Sequence, residues 1–348
     1  ILAMATYPDY NLNTPMTITT MKQDEYNKLS TQEQTNKLYQ MWRNRAVVDT
    51  YEPGSTFKTI TAAIALEENL AKTDTPGDFN CIGYEEIANT KIRCTAVAGH
   101  GKETLRQALE NSCNPALMQL GRRIGAEKFY KYLKAFGMFE STGIDLPSEG
   151  NSTFWPENKV GPIELATMSF GQRFKITPIQ MVRAASALAN NGELVTPRLV
   201  KQIENTNTGT ITETKIDNVR KVVSKETSDK IRDMMHSVVE NGGGRNAQVK
   251  GYEIGGKTGT SEADPNHPEE GYVSSFLAIA PVENTKLTVL LTLYKPQVKN
   301  HYGGHIAAPA VAQMLSEILP YLNIPSNIST DNVQSANITV PNLSLIHI

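Results

Sequence analysis

Three short groups of residues in this chain could do chemistry together. The first is Ser55-Thr56-Phe57-Lys58, which follows the turn signal Tyr51-Glu52-Pro53-Gly54 and opens an apolar run ending at Leu66. On a helix, an i,i+3 spacing puts a hydroxyl and an amine on one face. A serine hydroxyl becomes a nucleophile when an adjacent base takes its proton, and a lysine can be that base once burial or a nearby cation keeps it neutral. Alone, the pattern is more often a capping serine with a solvated lysine one turn on. The second group, Ser112-Cys113-Asn114, lies in Asn111-Ser112-Cys113-Asn114-Pro115 and carries little information by itself; Ser335-Ala336-Asn337 matches it by chance. The third, Lys257-Thr258-Gly259-Thr260, follows Gly255-Gly256. Lysine and threonine there offer donors to a carboxylate, and the glycines admit a ligand close to the backbone. Its bland reading is a strand end with a surface lysine.

The elements that must hold these groups follow from periodicity. Thr56 to Leu66 reads as a largely buried helix with Ser55 at its N-terminus, and further helical patterns cover 104–124, 127–136, 178–190, 226–240 and 307–319. Residues 1–10 read as a strand, and Asn11 to Arg45 as a polar loop with a short helix around Asp24 to Leu29. Beyond Gly251, the segments Tyr252 to Thr260, Val273 to Ala280 and Lys286 to Leu293 are rich in Val, Ile, Leu, Tyr and Thr and bounded by turn residues, which is strand patterning. They are expected to pair with the opening strand. The fold class is therefore α/β, with a mainly antiparallel sheet between helical layers.

The chain has 348 residues, 39% hydrophobic and 20% charged, ordinary values for one large or two modest globular domains. Thirty-four basic against 36 acidic residues give a net charge of -2, and no dense basic block marks a nucleic-acid partner. No apolar run is long enough to span a membrane. The chain opens at Ile1 without an initiator Met, which reads as a fragment. Three cysteines, Cys81, Cys94 and Cys113, are too few for a disulfide scaffold. Cys81 and Cys94 are left open between one bridge and two reduced thiols.

Taken in order, Ser-x-x-Lys, Ser-x-Asn and Lys-Thr-Gly form the signature of penicillin-binding proteins and class A β-lactamases. With Glu52-Pro53-Gly54 before the first motif, His100-Gly101, Phe170-Gly171-Gln172 and Thr177-Pro178-Ile179-Gln180, the chain resembles the transpeptidase domain of class B penicillin-binding proteins. Within them it is most similar to the stage V sporulation protein D type of Gram-positive bacteria. The resemblance implies a penicillin-binding protein/serine β-lactamase-like fold with a large helical subdomain, covering residues 1–322. Residues 323–348 are then a linker, in which Ile338-Thr339-Val340-Pro341-Asn342-Leu343 resembles the opening of a PASTA module.

The same resemblance implies a D,D-transpeptidase that forms a serine acyl-enzyme on a peptidoglycan stem peptide and is acylated by β-lactams. Ser55 would be the nucleophile, Lys58 its general base and Ser112 a proton relay. Asn114 would hold the acyl-side amide. Lys257 would lower the pKa of Lys58 by like-charge repulsion and favour the substrate carboxylate, which Thr258, Gly259 and Thr260 bind. The oxyanion hole would be the backbone N–H groups of Ser55 and Thr260. The family also implies a glycosyltransferase partner, the extracytoplasmic face of the membrane, and an anchor upstream of residue 1.

Three rivals share these motifs. A serine β-lactamase also needs a deacylating group, and none can be assigned. A D,D-carboxypeptidase differs only in letting water attack, and a β-lactam sensor or wall-synthesis scaffold would not turn over. No cofactor is required for serine chemistry. In the family fold, the loop after Thr260 and the Gly303-Gly304 segment lie near one sheet edge. Asp264, His267, His301 and His305 are therefore expected as ligands of a structural zinc ion, against the plainer reading of exposed loop residues.

Overall fold

The structure, a computed structural model, describes residues 1–214, 219–261 and 271–328. Residues 1–10 form no strand and are mostly exposed, which corrects the expected opening strand. Their partners lie elsewhere: the Ile1 amino group donates to the Arg198 carbonyl at 2.7 Å, and Asn44 Nδ2 donates to Met4 Sδ at 3.2 Å. Pro8 also lacks the N–H that a ladder position needs.

Next come α1 (Gln23–Tyr26), α2 (Thr31–Trp42) and α3 (Arg45–Val48). The sequence reads α2 as loop because its surface is polar. Its signal was local: Ser30 and Glu33 form a reciprocal capping box, and Leu38 and Met41 bury against Ile18 and Tyr26. Gly54–Phe57 makes a 3-10 turn that runs into α4 (Lys58–Glu67). Every residue from Lys58 to Leu66 is buried, as expected of a helix that is apolar nearly all round.

β1 (Phe79–Cys81) pairs antiparallel with β4 (Gly101–Glu103), and β2 (Tyr84–Ile87) with β3 (Thr90–Arg93). The single helix expected over 104–124 is in fact two, α5 (Leu105–Glu110) and α6 (Asn114–Ile124). They break at Ser112, which sits at φ 51°, a left-handed conformation that no helix continues through. Then follow α7 (Ala126–Ala135), α8 (Pro162–Ser169) and α9 (Pro178–Ala189); β5 (Glu193–Leu194) pairs with β8 (Arg220–Lys221), β6 (Gln202–Asn205) with β7 (Thr210–Glu213), and α10 (Lys225–Glu240) closes the helical part. Phe57, Ile60 and Ile64 share one core with Leu117, Phe129, Leu133, Met181 and Met234. Each such side chain contributes about 1.5–3 kcal/mol by leaving water.

β9 (Gly255–Ser261), β10 (Val273–Ala280) and β11 (Leu287–Tyr294) form an antiparallel sheet in the order β11-β10-β9, and α11 (Gly303–Tyr321) follows. Residues of β10 alternate between two cores. Phe276 and Ala278 pack with Val311 and Leu315 of α11, whereas Leu277 and Ile279 join the helical core. The sheet is therefore covered by helices on both faces, and double burial explains the unbroken apolar run from Phe276 to Ala280. Within this sheet β9 is an edge strand, which leaves alternate N–H and C=O groups off the ladder.

Close approach to β9 fixes two glycines. A Cβ on Gly259 would lie 2.3 Å from Ser275 Oγ and 2.9 Å from Thr56 Cγ2, and one on Gly303 would lie 2.4 Å from the Gly259 carbonyl oxygen. The strand is thus pressed between the turn that carries Ser55 and the first turn of α11.

Candidate active site

Three independent elements deliver the three motifs to one place. The 3-10 turn before α4 presents Ser55, half-buried, and one turn later Lys58 points into the interior with no exposed surface. The α5–α6 break supplies Ser112 and Asn114, and β9 supplies Lys257 to Thr260. Lys58 Nζ donates to the Ser112 carbonyl at 2.6 Å, to Asn114 Oδ1 at 2.6 Å and to Ser112 Oγ at 3.2 Å. Lys257 Nζ donates to Ser112 Oγ at 2.9 Å and to the Thr258 carbonyl and hydroxyl at 3.2 and 3.3 Å. Thr260 Oγ1 accepts from the Gly303 N–H at 3.1 Å, so its own proton stays available to a ligand.

The break at Ser112 is what makes this convergence work. Ser112 N–H donates to the Leu109 carbonyl and Cys113 N–H to the Ala108 carbonyl, locking the left-handed residue between the two helices. Such a conformation costs of order 1–3 kcal/mol for a residue with a side chain and persists where the surroundings enforce it. Here it turns both the carbonyl and the hydroxyl of Ser112 toward Lys58.

Both lysines are buried, and burial disfavours an ammonium. Lys58 is lowered to about 8, with desolvation the leading cause and the nearby Cys113, Cys94 and Glu103 pulling it back up. Lys257 is held well below its ordinary value by burial and then by the charge on Lys58. The electrostatics thus differ from the expectation in one respect: burial, more than Lys257, depresses Lys58, and like-charge repulsion is felt at Lys257. A carboxylate beside Lys257 would favour its charged form.

Sequence reasoning missed Glu103 behind Lys58, and left the pairing of the cysteines there open. Glu103, at the end of β4, is 2% exposed and accepts from Asn111 Nδ2 at 2.8 Å. Cys81, Cys94 and Cys113 are all free and buried, and Cys94 lies against Cys113 as well as near Cys81. The Cys94 thiol is pulled below its ordinary value, first by the Cys113 thiol and, against burial, by the N–H groups of Asn114 and Ala96. No spacing rule marks such a pair; the turn at Ser112 makes it.

Of the expected metal ligands, Asp264 and His267 lie outside the described residues. The His301 ring stacks on Tyr272 at a centroid distance of 3.9 Å, and His305 lies 6.5 Å from the Tyr302 ring. A cavity of about 890 Å³ between α7 and Phe139, Phe154 and Trp155 holds no residue of the three motifs.

Fold and site together define a class: an α/β protein with a serine at a helix start, two buried lysines, and an edge strand beside them. The chain belongs to the family described as the penicillin binding protein transpeptidase domain, which matches residues 1–316. It is 42% identical over 288 residues to stage V sporulation protein D of Bacillus subtilis, a match covering 81% of this chain and 44% of that protein. A peptidoglycan D,D-transpeptidase FtsI homolog of Mesostigma viride is 31% identical, over 83% of this chain and 52% of the relative. The chain thus spans about half the length of the curated relatives it matches. Among solved structures, penicillin binding protein 3 of Mycobacterium tuberculosis complexed with ampicillin superposes with a TM-score of 0.77 at 27% identity, covering 87% of this chain and 68% of the other. The apo transpeptidase domain of Burkholderia pseudomallei penicillin-binding protein 3 gives 0.72 at 27% identity, covering 82% and 84%.

Proposed function

We propose that this chain is a peptidoglycan D,D-transpeptidase working through an acyl-enzyme on Ser55. The observation that carries the reading is the double hydrogen bond to Ser112 Oγ, from Lys58 Nζ at 3.2 Å and Lys257 Nζ at 2.9 Å, which links the base beside the serine to the lysine beside the carboxylate site.

In this reading Lys58, as a free amine, takes the Ser55 proton while Ser55 Oγ adds to the carbonyl carbon between the two terminal D-Ala residues of a stem peptide. The oxyanion is met by backbone N–H groups of Ser55 and Thr260, donors of a kind worth about 3–4 kcal/mol each. Collapse breaks the C–N bond, and the proton reaches the departing amine through Ser112. Asn114 holds the acyl-side amide, and Lys257, Thr258 and Thr260 hold the terminal carboxylate, with Gly259 allowing the chain to lie close. An acceptor amine then attacks the ester, and Ser55 recovers its proton. No cofactor takes part. β-Lactams acylate the same serine, since their strained amide occupies the place of the D-Ala-D-Ala bond.

The wider setting is also proposed: residues 1–322 are the transpeptidase unit and residues 323–348 a linker, acting at the extracytoplasmic face beside a glycosyltransferase partner. Among the described residues no helix is long and apolar enough to cross a membrane. Incubating the chain with a donor stem peptide, with and without an acceptor amine, tests the reaction: a cross-linked product supports it, while release of D-Ala with no cross-link would make the chain a carboxypeptidase.

A further inference from the structure

The groove between α7 and residues 152–157 takes no part in the proposed reaction, and its volume is about 890 Å³. Two large aromatic side chains line it while staying open to solvent, Trp155 at 41% and Phe139 at 44% exposure. A ring left in water forgoes the stabilisation of burial, and two such rings around one concavity form a patch suited to a ligand.

The walls of the groove are fixed from behind. Tyr130 donates its hydroxyl to the Trp155 carbonyl and Ser152 Oγ donates to the Met138 carbonyl, both at 2.5 Å. The Phe139 ring stacks on Tyr130 at 5.6 Å and meets Phe154 edge-on at 4.9 Å. Phe154 stacks in turn on Phe174, which packs against Phe57 inside the Ser-x-x-Lys motif. A preformed site loses little affinity to ordering itself.

The rim decides what fits. Lys128, Lys131 and Lys134 line the groove from α7, together with Glu127 and Glu157. Lys128 is paired with Glu68 at 2.9 Å, which leaves two charges of each sign. So balanced a rim does not select a phosphate or an acidic peptide. It suits a polyhydroxylated ring with amide substituents. The C–H face of such a ring lies on the negative face of an indole or phenyl ring, while its hydroxyl and acetamido groups find both ammonium donors and carboxylate acceptors. We propose that this groove binds a β-1,4-linked strand of N-acetylated amino sugars, stacked on Trp155 and Phe139.

The source of that strand rests on the transpeptidase reading, since the glycan that carries the stem peptides has this chemistry. The groove and the nucleophile's turn pack on one core through Phe154, Phe174 and Phe57. A strand held in the groove would therefore raise the local concentration of its stem peptides around Ser55.

Tryptophan fluorescence reads the site directly, because the chain has two tryptophans and Trp42→Phe leaves Trp155 alone. Titration of that variant with chitotetraose, the β-1,4-linked tetramer of N-acetylglucosamine, should give a saturable change. By calorimetry, Trp155→Ala and Phe139→Ala should each weaken binding about tenfold or more, whereas Trp155→Phe keeps most of it. Thermal melts check folding; the Trp155 variants decide the matter if Phe139→Ala, whose ring packs on two others, fails to fold. Cellotetraose, which lacks the acetamido groups, should bind about tenfold more weakly. No binding of chitotetraose up to about 10 mM, well past a weak Kd of about 1 mM, would overturn the site. So would equal binding of cellotetraose, or binding unaltered in Trp155→Ala. Tighter binding of a hexaglutamate peptide than of chitotetraose would also overturn it, and would give the groove to an acidic protein partner. Protein that binds chitotetraose but that no β-lactam acylates would count against the transpeptidase reading and leave the glycan site standing; protein acylated at Ser55 that ignores chitotetraose would do the reverse.

Discussion

Lys58 and Lys257 donate to the same oxygen, Ser112 Oγ, although one belongs to the central helix and the other to the edge strand. Two ammonium groups sharing one acceptor repel each other, so at least one is neutral over part of the ordinary pH range. In the proposed reaction this arrangement supplies the base from a buried amine.

The pH dependence follows. With Lys58 lowered to about 8 by burial and Lys257 held well below its ordinary value, the free-amine fraction of Lys58 grows as pH rises through about 8. Acylation by penicillin, followed by stopped-flow fluorescence, should therefore rise with pH and level off about one unit past that value. A profile that climbs only near the ordinary lysine range would remove Lys58 as the base.

Stability should respond to the same groups. Between about 8 and the ordinary lysine value of 10.5, the unfolded chain binds more protons than the folded one, so stability rises with pH across that window. Urea midpoints at the two ends should differ in that direction. Lys58→Met should flatten the slope, because methionine has no proton to lose.

Ser112 combines a hydroxyl with a left-handed backbone, and two substitutions separate these. Ser112→Ala and Ser112→Gly both remove the shared acceptor and should slow acylation by about 10²–10⁴-fold. Only alanine keeps the strain at φ 51°, so the glycine variant should be the more stable of the two by of order 1 kcal/mol. Equal melting temperatures would show that the turn is not strained.

Gly259→Ala tests the packing of β9. Its methyl group would meet Ser275 Oγ, Thr56 Cγ2 and the Pro53 carbonyl oxygen at 2.3, 2.9 and 3.2 Å, and the last two belong to the segment bearing Ser55. A loss of about 1–3 kcal/mol, with slowed penicillin labelling, is expected in thermal melts and acylation assays. A variant that labels at the normal rate would mean that strand and turn can separate without harm.

The three motifs were legible in the sequence because each is a contiguous string, and the late strands because double burial writes an unbroken apolar run. What escaped has physical reasons. Residues 1–10 carry apolar residues yet stay mostly exposed, with the Ile1 amino group on the Arg198 carbonyl and Met4 packed against Val47, Ile144 and Ile179 instead of a ladder. Helix α2 hides behind a polar surface and declares itself only through Ser30 and Glu33. One helical period spans 104–124, yet the positive φ at Ser112 cuts it and creates the turn that the site needs. That turn also brings Cys113 to Cys94, a proximity that no sequence spacing encodes.

The central claim is that Ser55 is the acylated residue, and mass spectrometry after benzylpenicillin tests it most directly. The account predicts one penicilloyl adduct per chain, mapped to the peptide containing Ser55, persisting well beyond the time of acylation and absent from Ser55→Ala. An adduct on Ser112, or one that survives in Ser55→Ala, would contradict it.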